Sequence, residues 1–364
     1  MKIFYEKIKI YYILIFFLFI SNSFACTDVQ IIAKDHSTII GRTMDFAIET
    51  KPKIKIFPRN QQFFATAPDN SKSFQWNNKY AYLAIIVMGD NNITPDGINE
   101  KGLTLEYLWL PETQYINPQL KDYKKYISNV QLAMWILGNF SSVRDVKKAI
   151  SNVNVWGESI APIGIAPIHI VLHDKDGKSI VIEFIKGKTE IYDNLSQVVT
   201  NSPTYDWHLT NLRNYISLTN QNYINKKIDG KTILETGNGN GFFGIPGDYT
   251  PPSRFIKTVA ISYFADKPIN AISGVILMSH ILNNVDIPLG TIQQKTTHNM
   301  IFKDYTQWSV IKDITNMNLY IKDYNSLGYA KISLTELFNS TRELKSLEFS
   351  TFNTQNNIDK TNNF

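Results

Sequence analysis

The chain contains a single cysteine, Cys26, and no other residue narrows its possible folds and chemistries so far. A lone thiol closes no intramolecular disulfide, builds no zinc cluster and forms no Cys-x-x-Cys redox pair. The fold must therefore be held by its own apolar core. With 364 residues, 43% hydrophobic and 19% charged, the composition is globular and supplies one. The net charge of +5 is spread without a basic block, so no nucleic-acid partner is suggested.

What precedes Cys26 gives its position a meaning. Lys2, Lys7 and Lys9 open the chain, the apolar run Ile10–Ile20 follows, and Ser21-Asn22-Ser23-Phe24-Ala25 leads to the cysteine. A basic start, a short apolar stretch and a small-x-small ending make residues 1–25 a signal peptide, so the chain is expected to be exported, periplasmic or secreted. The run is well short of the ~20 residues of a spanning helix. Cleavage between Ala25 and Cys26 makes the cysteine the mature amino terminus and lowers the net charge from +5 to +3. Lipoprotein processing is the alternative: it wants a Leu-like and then a small residue where this chain has Ser23 and Phe24, which fit it poorly. Acylated at Cys26, the chain would be a surface lipoprotein or binding module.

From Thr27 the sequence reads as strands in hairpins. Val29–Ala33 and Thr38–Thr43 flank the turn Lys34–Ser37, and Lys53–Phe57 stops at Pro58. Tyr80–Met88 and Gly102–Leu110 are apolar and β-rich, with a turn-forming stretch at Asp90–Gly97 between them. Apolar residues at helical spacing cover Tyr126–Phe140, and Ser141 or Ser142 can cap a further helix to Ile150. Ile168–His173 and Ser179–Ile185 read as a hairpin, Gln197–Thr200 as a short strand and Ile269–Leu282 as a helix. Trp308–Ile314, Asn318–Lys322 and Tyr329–Ser333 form a closing meander. Strands predominate and helices fall in two blocks, which favours an α+β sheet sandwich in one domain. The polar tail 350–364 is expected to fray.

An N-terminal cysteine is chemically self-sufficient. Its thiol can attack a carbonyl, and the chain's own α-amine, with a free pKa of ~7.7–8.0, can take the thiol proton. A buried, incidental cysteine is the plainer reading. Arg42 and Asp45 lie on the second strand of the opening hairpin, which returns beside Cys26; they read either as a surface ion pair or as groups that steady a thiolate and an ammonium. Asn201 ends a strand, where its amide reads as an oxyanion donor or as part of an ordinary Asn-Ser-Pro turn. Gly237–Gly244 lacks the Gly-Lys-Ser/Thr of a phosphate loop and reads as a loop. Asp174–Gly177 starts like a calcium loop but has Ile185 at the twelfth position, so it reads as a hairpin turn. His169 and His173 are four apart on a strand, not a helix, so their spacing does not make a zinc pair.

Five stretches in this order resemble the choloylglycine hydrolase family, which includes bile salt hydrolases and penicillin V acylases. They are Cys26-Thr-Asp, Gly41-Arg-Thr-Met-Asp-Phe46, Gly97-Ile-Asn-Glu-Lys-Gly-Leu103, Thr200-Asn-Ser-Pro-Thr-Tyr-Asp-Trp-His-Leu209 and Pro246-Gly-Asp-Tyr-Thr-Pro-Pro-Ser-Arg-Phe255. The resemblance spans the mature chain, with 26–349 as the catalytic domain. It implies an N-terminal-nucleophile hydrolase with a four-layer αββα sandwich, often a homotetramer, acting on a small-molecule amide without cofactor or metal. It also implies roles: Cys26 as nucleophile and base, Arg42 and Asp45 as its steadying pair, Asn201 as side-chain oxyanion donor, Arg254 as the arginine that orders the site. The second oxyanion contact is implied to be the backbone N–H of Trp109. Bile salt hydrolases typically carry Asn at that place and the best-known penicillin V acylases Tyr. Trp there resembles the Gram-negative acylase branch, some of whose members cleave N-acyl homoserine lactones, although that branch often has Trp where this chain has Phe46. Met44, Phe46 and Trp109 are then the expected pocket residues, and an aryl or acyl chain is favoured over a bile conjugate.

Overall fold

The computed structural model describes residues 25–89, 93–118, 123–161, 163–295, 299–340 and 343–349. The signal peptide expected over 1–25, Ala25 apart, and the tail expected over 350–364 lie outside them.

Two antiparallel sheets stack face to face. The first joins β1 (Thr27–Ile32), β2 (Thr38–Phe46), β13 (Ile301–Asp313), β14 (Asn318–Asp323) and β15 (Ala330–Ser333), with β12 (Val198–Val199) on the outer side of β1. The second runs in the order β11 (Lys188–Asp193), β10 (Ser179–Ile185), β9 (Ile168–His173), β8 (Thr104–Trp109), β7 (Ile93–Asn99), β6 (Tyr82–Val87) and β3 (Lys53–Phe57), with Lys345–Glu348 on its edge. A separate hairpin pairs β4 (Gln62–Thr66) with β5 (Lys72–Asn77).

Helices close both outer faces. Leu132–Asn139 and Val143–Ile150 share an apolar core with the outer face of the second sheet, including Leu105, Tyr107, Ile170 and Ile182. Pro251–Phe264 and Ala271–Asn283 cover the first sheet, where Met278 and Leu282 meet Ile39 and Ile311. A Cβ on Gly41 would fall inside the Met278 side chain, so glycine here admits the helix to the sheet. This is the four-layer αββα sandwich that the resemblance implies, with a second core between the sheets built by alternate residues of each strand.

The main departures from the sequence reading have tertiary causes. The turn expected over Asp90–Gly97 becomes, from Ile93, the buried strand β7. A register shift opposite Ile85–Val87 accommodates Pro95 at a bulge. A Cβ on Gly97 would meet the Leu137 side chain, and Asp96 meets buried cations, so turn-forming residues suit this strand because of their partners. The helix expected over Tyr126–Phe140 starts only at Leu132, because Tyr126–Ser128 pairs in parallel with Asn154–Trp156. Ser142 caps the next helix by accepting from the Asp145 N–H, as expected.

Candidate active site

Register places the site. Thr27 lies opposite Thr43 in the β1–β2 hairpin, so the residue before it, Cys26, falls beside Met44, with the two sulfurs 3.8 Å apart. Register shifts between Met44 and Asp45 on the β13 side, so Asp45 faces Thr306 and not the next residue in sequence. Met44 consequently lines a cleft, while the Asp45 carboxyl accepts hydrogen bonds from Thr306 (2.5 Å) and Thr43 (3.0 Å). The Asp45 carbonyl is 3.9 Å from the Cys26 Sγ.

Arg42 is fully buried between the sheets. Its guanidinium donates to the carbonyls of Pro95 and Tyr107, both at 2.6 Å, and its Nη2 lies 3.8 Å from the Cys26 Sγ. Burial pushes the Cys26 thiol up, and the Arg42 charge is the strongest influence pulling it down. The surface ion pair of the plainer reading is therefore not what forms, since neither side chain reaches the surface.

Asn201 arrives from a distant part of the chain. Its Oδ1 accepts from the Cys26 backbone N at 2.6 Å and from Arg254 Nη2 at 2.8 Å, and its Nδ2 donates to the Trp109 carbonyl at 2.9 Å. In this full chain the Cys26 nitrogen is an amide; after cleavage before Cys26 it would be the α-amine. Arg254 also donates to the Cys26 carbonyl and to Thr27 Oγ1, both at 2.6 Å. Cys26, Arg42, Asp45, Asn201, Trp109 and Arg254 are thus brought to one place. A sequence reading missed His208, whose Nε2 donates to the Asn201 carbonyl at 2.8 Å and whose ring stacks on Phe255. Burial drives His208 down to about 4, so near neutrality it is the uncharged tautomer that makes this bond. Its place in the Thr200–Leu209 stretch was the available signal.

The Asp45 carboxyl is pushed up to about 7, mainly by burial, against the pull of Arg254 and the two threonines. Its unfolded value is near ~3.9, so the fold favours the neutral acid. That contribution is whole below about pH 4 and is lost as pH rises through about 7, a loss of at most about 4 kcal/mol. In the unprocessed chain, Asp45→Asn should therefore gain stability relative to the parent between pH 4 and 7. Urea midpoints across that range check it; parallel curves for the two proteins would contradict the assignment.

Cys26 is only 3% exposed and is reached through a cleft of about 630 Å³. Met44, Phe46, Val87, Trp109, Val130 and Ile160 are among its walls, and among the described residues no carboxylate or cationic side chain lines it. Phe46 and Trp109 meet edge to face at 6.2 Å. The cleft suits an apolar, uncharged group. Asp28, Glu106 and His173 are close enough to ligate a metal, but His173 Nε2 already lies 2.9 Å from Asp28 Oδ1 and Glu106 accepts from the Lys312 ammonium. An ammonium against the carboxylate argues against a cation there. His169 binds Glu183 and the Thr200 carbonyl instead.

The family model of linear amide C–N hydrolases, choloylglycine hydrolase family, matches residues 26–348. A bile salt hydrolase/transferase of Clostridium perfringens (strain 13 / Type A) is 32% identical over 329 residues, 89% of this chain and 97% of its own. The penicillin V acylase of Pectobacterium atrosepticum is 34% identical over 179 residues, 47% of each chain. Among solved structures, a conjugated bile acid hydrolase from Clostridium perfringens superposes with a TM-score of 0.79 at 30% identity, covering 92% of this chain and all of that one.

Proposed function

Because the chain belongs to the choloylglycine hydrolase family of linear amide C–N hydrolases, we propose that it is an exported enzyme, cut between Ala25 and Cys26, that removes apolar acyl groups from amides. The observation that carries the substrate class is the cleft walled by Met44, Phe46 and Trp109. Penicillin V acylase-like cleavage of phenoxyacetyl-type side chains, or of N-acyl homoserine lactones, fits such a wall. A second reading, hydrolysis of conjugated bile salts, is favoured by the similarity to the clostridial bile salt hydrolase/transferase along nearly its whole length.

In the proposed reaction the Cys26 α-amine takes the thiol proton and Sγ attacks the amide carbonyl. The developing oxyanion is held by the second N–H of Asn201 Nδ2 and by the Trp109 backbone N–H. The C–N bond breaks as the ammonium returns its proton to the leaving amine. The amine then deprotonates a water that attacks the thioester, releasing the acid and restoring the thiol. Arg42 favours the thiolate, and Arg254 holds Asn201 and the Cys26 carbonyl in place.

The test uses the chain expressed with its leader in an exporting host. Intact mass should place the amino terminus at Cys26 with no acyl increment; a diacylglyceryl mass would make it the lipoprotein instead. The processed protein should hydrolyse phenoxymethylpenicillin or N-acyl homoserine lactones faster than glycine- or taurine-conjugated bile salts. The reverse order would establish the second reading. A homotetramer, also a proposal, is read from its mass in solution.

A further inference from the structure

Six charged side chains run in one buried chain between the sheets, starting at Arg42 and leading away from the cleft. Arg42 Nη1 lies 3.4 Å from Asp96 Oδ2, and the other Asp96 oxygen lies 2.8 Å from Lys312 Nζ. Lys312 also donates to Glu106 Oε1, whose partner oxygen is 3.9 Å from His173 Nε2; that nitrogen meets Asp28 Oδ1 at 2.9 Å. Every member is at most 1% exposed, and none lines the cleft.

Strand register builds the chain. Asp96 and Glu106 are cross-strand partners on the inner face of the second sheet, and Asp28 and Arg42 are partners on the first. Lys312, from β13, reaches across to both carboxylates of the opposite sheet. The Gln30 amide donates through Nε2 to the Gly177 carbonyl, which turns its Oε1 to His173 Nδ1 at 2.6 Å. Both ring nitrogens of His173 thus face acceptors, which requires the imidazolium. Arg42, Lys312 and His173 then balance Asp28, Asp96 and Glu106.

Buried ion clusters of this kind stabilise a fold poorly compared with apolar side chains of similar volume. What this one does is place a charge. The two short bonds of Arg42 go to the uncharged carbonyls of Pro95 and Tyr107, and its contact with Asp96 is long. Lys312 takes up the Asp96 charge at closer range, leaving the guanidinium charge to act on the thiol 3.8 Å away. We propose that Lys312 and Asp96 are positioning residues for the reaction, acting on Cys26 only through Arg42. This rests on the reading of Cys26 as nucleophile. The other titratable groups around the thiol and Arg42 are the α-amine of Cys26 itself in the processed protein, common to parent and variants, Asp45 on β2, Arg254 on the covering helix, and Asp28, Glu106 and His173 in the cluster itself.

The test is the pH dependence of Cys26 alkylation by iodoacetamide in the processed protein, where it is the sole thiol. This reports the thiol without needing a substrate, so it stays separate from any failure of the amidase reading. Lys312→Met should let Asp96 draw Arg42 away and move the alkylation curve to higher pH by roughly half a unit or more, about threefold slower at a fixed pH below the midpoint. Lys312→Arg should restore most of it. Asp96→Asn should move the curve the other way, because it removes the anion that competes for Arg42. Displacements of opposite sign support the proposal. A folded Lys312→Met protein with the parental curve, or two variants displaced in the same direction, overturns it. If Lys312→Met does not fold, the sign of the Asp96→Asn displacement decides alone.

Discussion

Cys26→Ser, once processed, is expected to lose amide hydrolysis by on the order of 10³-fold or more while remaining folded. The substitution exchanges one buried sulfur of the inter-sheet core for a smaller oxygen and opens no disulfide, so the fold should be kept. What changes is the acidity of the attacking group. A thiol begins near ~8.5 and lies within reach of an amine of pKa ~7.7–8.0, whereas a serine hydroxyl is far too weak an acid for that base unaided. Burial already pushes the thiol upward, so the reaction depends on Arg42 to offset it. Turnover assays on the processed variant, with circular dichroism to check folding, decide the matter. Turnover within tenfold of the parent would remove Cys26 from the nucleophile role.

In the proposed reaction, Asn201→Ala should lower kcat by about 10²–10³-fold with KM changed far less, because the donor it removes would face charge that develops only in the transition state. The same change withdraws the Oδ1 that accepts from the Cys26 nitrogen and from Arg254, leaving two buried donors unsatisfied. A loss of about 1–3 kcal/mol in stability should accompany it. Asn201→Asp keeps an acceptor for both donors but puts a carboxylate oxygen in place of the N–H, against the Trp109 carbonyl and the proposed oxyanion, so it should be at least as slow as the Ala variant. If the Asp variant folds like the parent and is as slow as the Ala variant, the rate loss belongs to the missing donor. A folded Asp variant with parental kcat would show that Asn201 holds the site together without touching the oxyanion.

Much of this was legible before any coordinates. The apolar, β-branched runs Ile168–His173 and Ser179–Ile185 on either side of Asp176-Gly177 located that hairpin to the residue, because a strand buried on both faces reads as a short apolar run bounded by turn residues. The ordered motifs identified the fold and the amidase class, and the structure places their Arg42, Asp45, Asn201 and Arg254 around Cys26. Other parts were not legible. Asp96 reads locally as a turn residue, and only the cations across the sheet interface make it a strand residue. The carbonyls of Pro95 and Tyr107 that hold Arg42 have no sequence signature, since every residue has one. The role of His208 depends on a neighbour seven residues away folding back over it through a helix turn.

By itself, then, the sequence determined that there is one thiol, that a basic start and a short apolar run precede it, and that strands outnumber helices around it. These are local properties, set by hydrophobic period and by side-chain size within a few residues. Only the tertiary structure decided that Asn201, 175 residues away, meets the Cys26 nitrogen, that the cleft is apolar, and that Arg42 is tied through Asp96 to Lys312. The ion cluster follows from strand register and sheet stacking, and a shift of one residue would turn Arg42, Asp96 and Lys312 to the opposite face, while Asn201 is carried in on the loop after Val198–Val199.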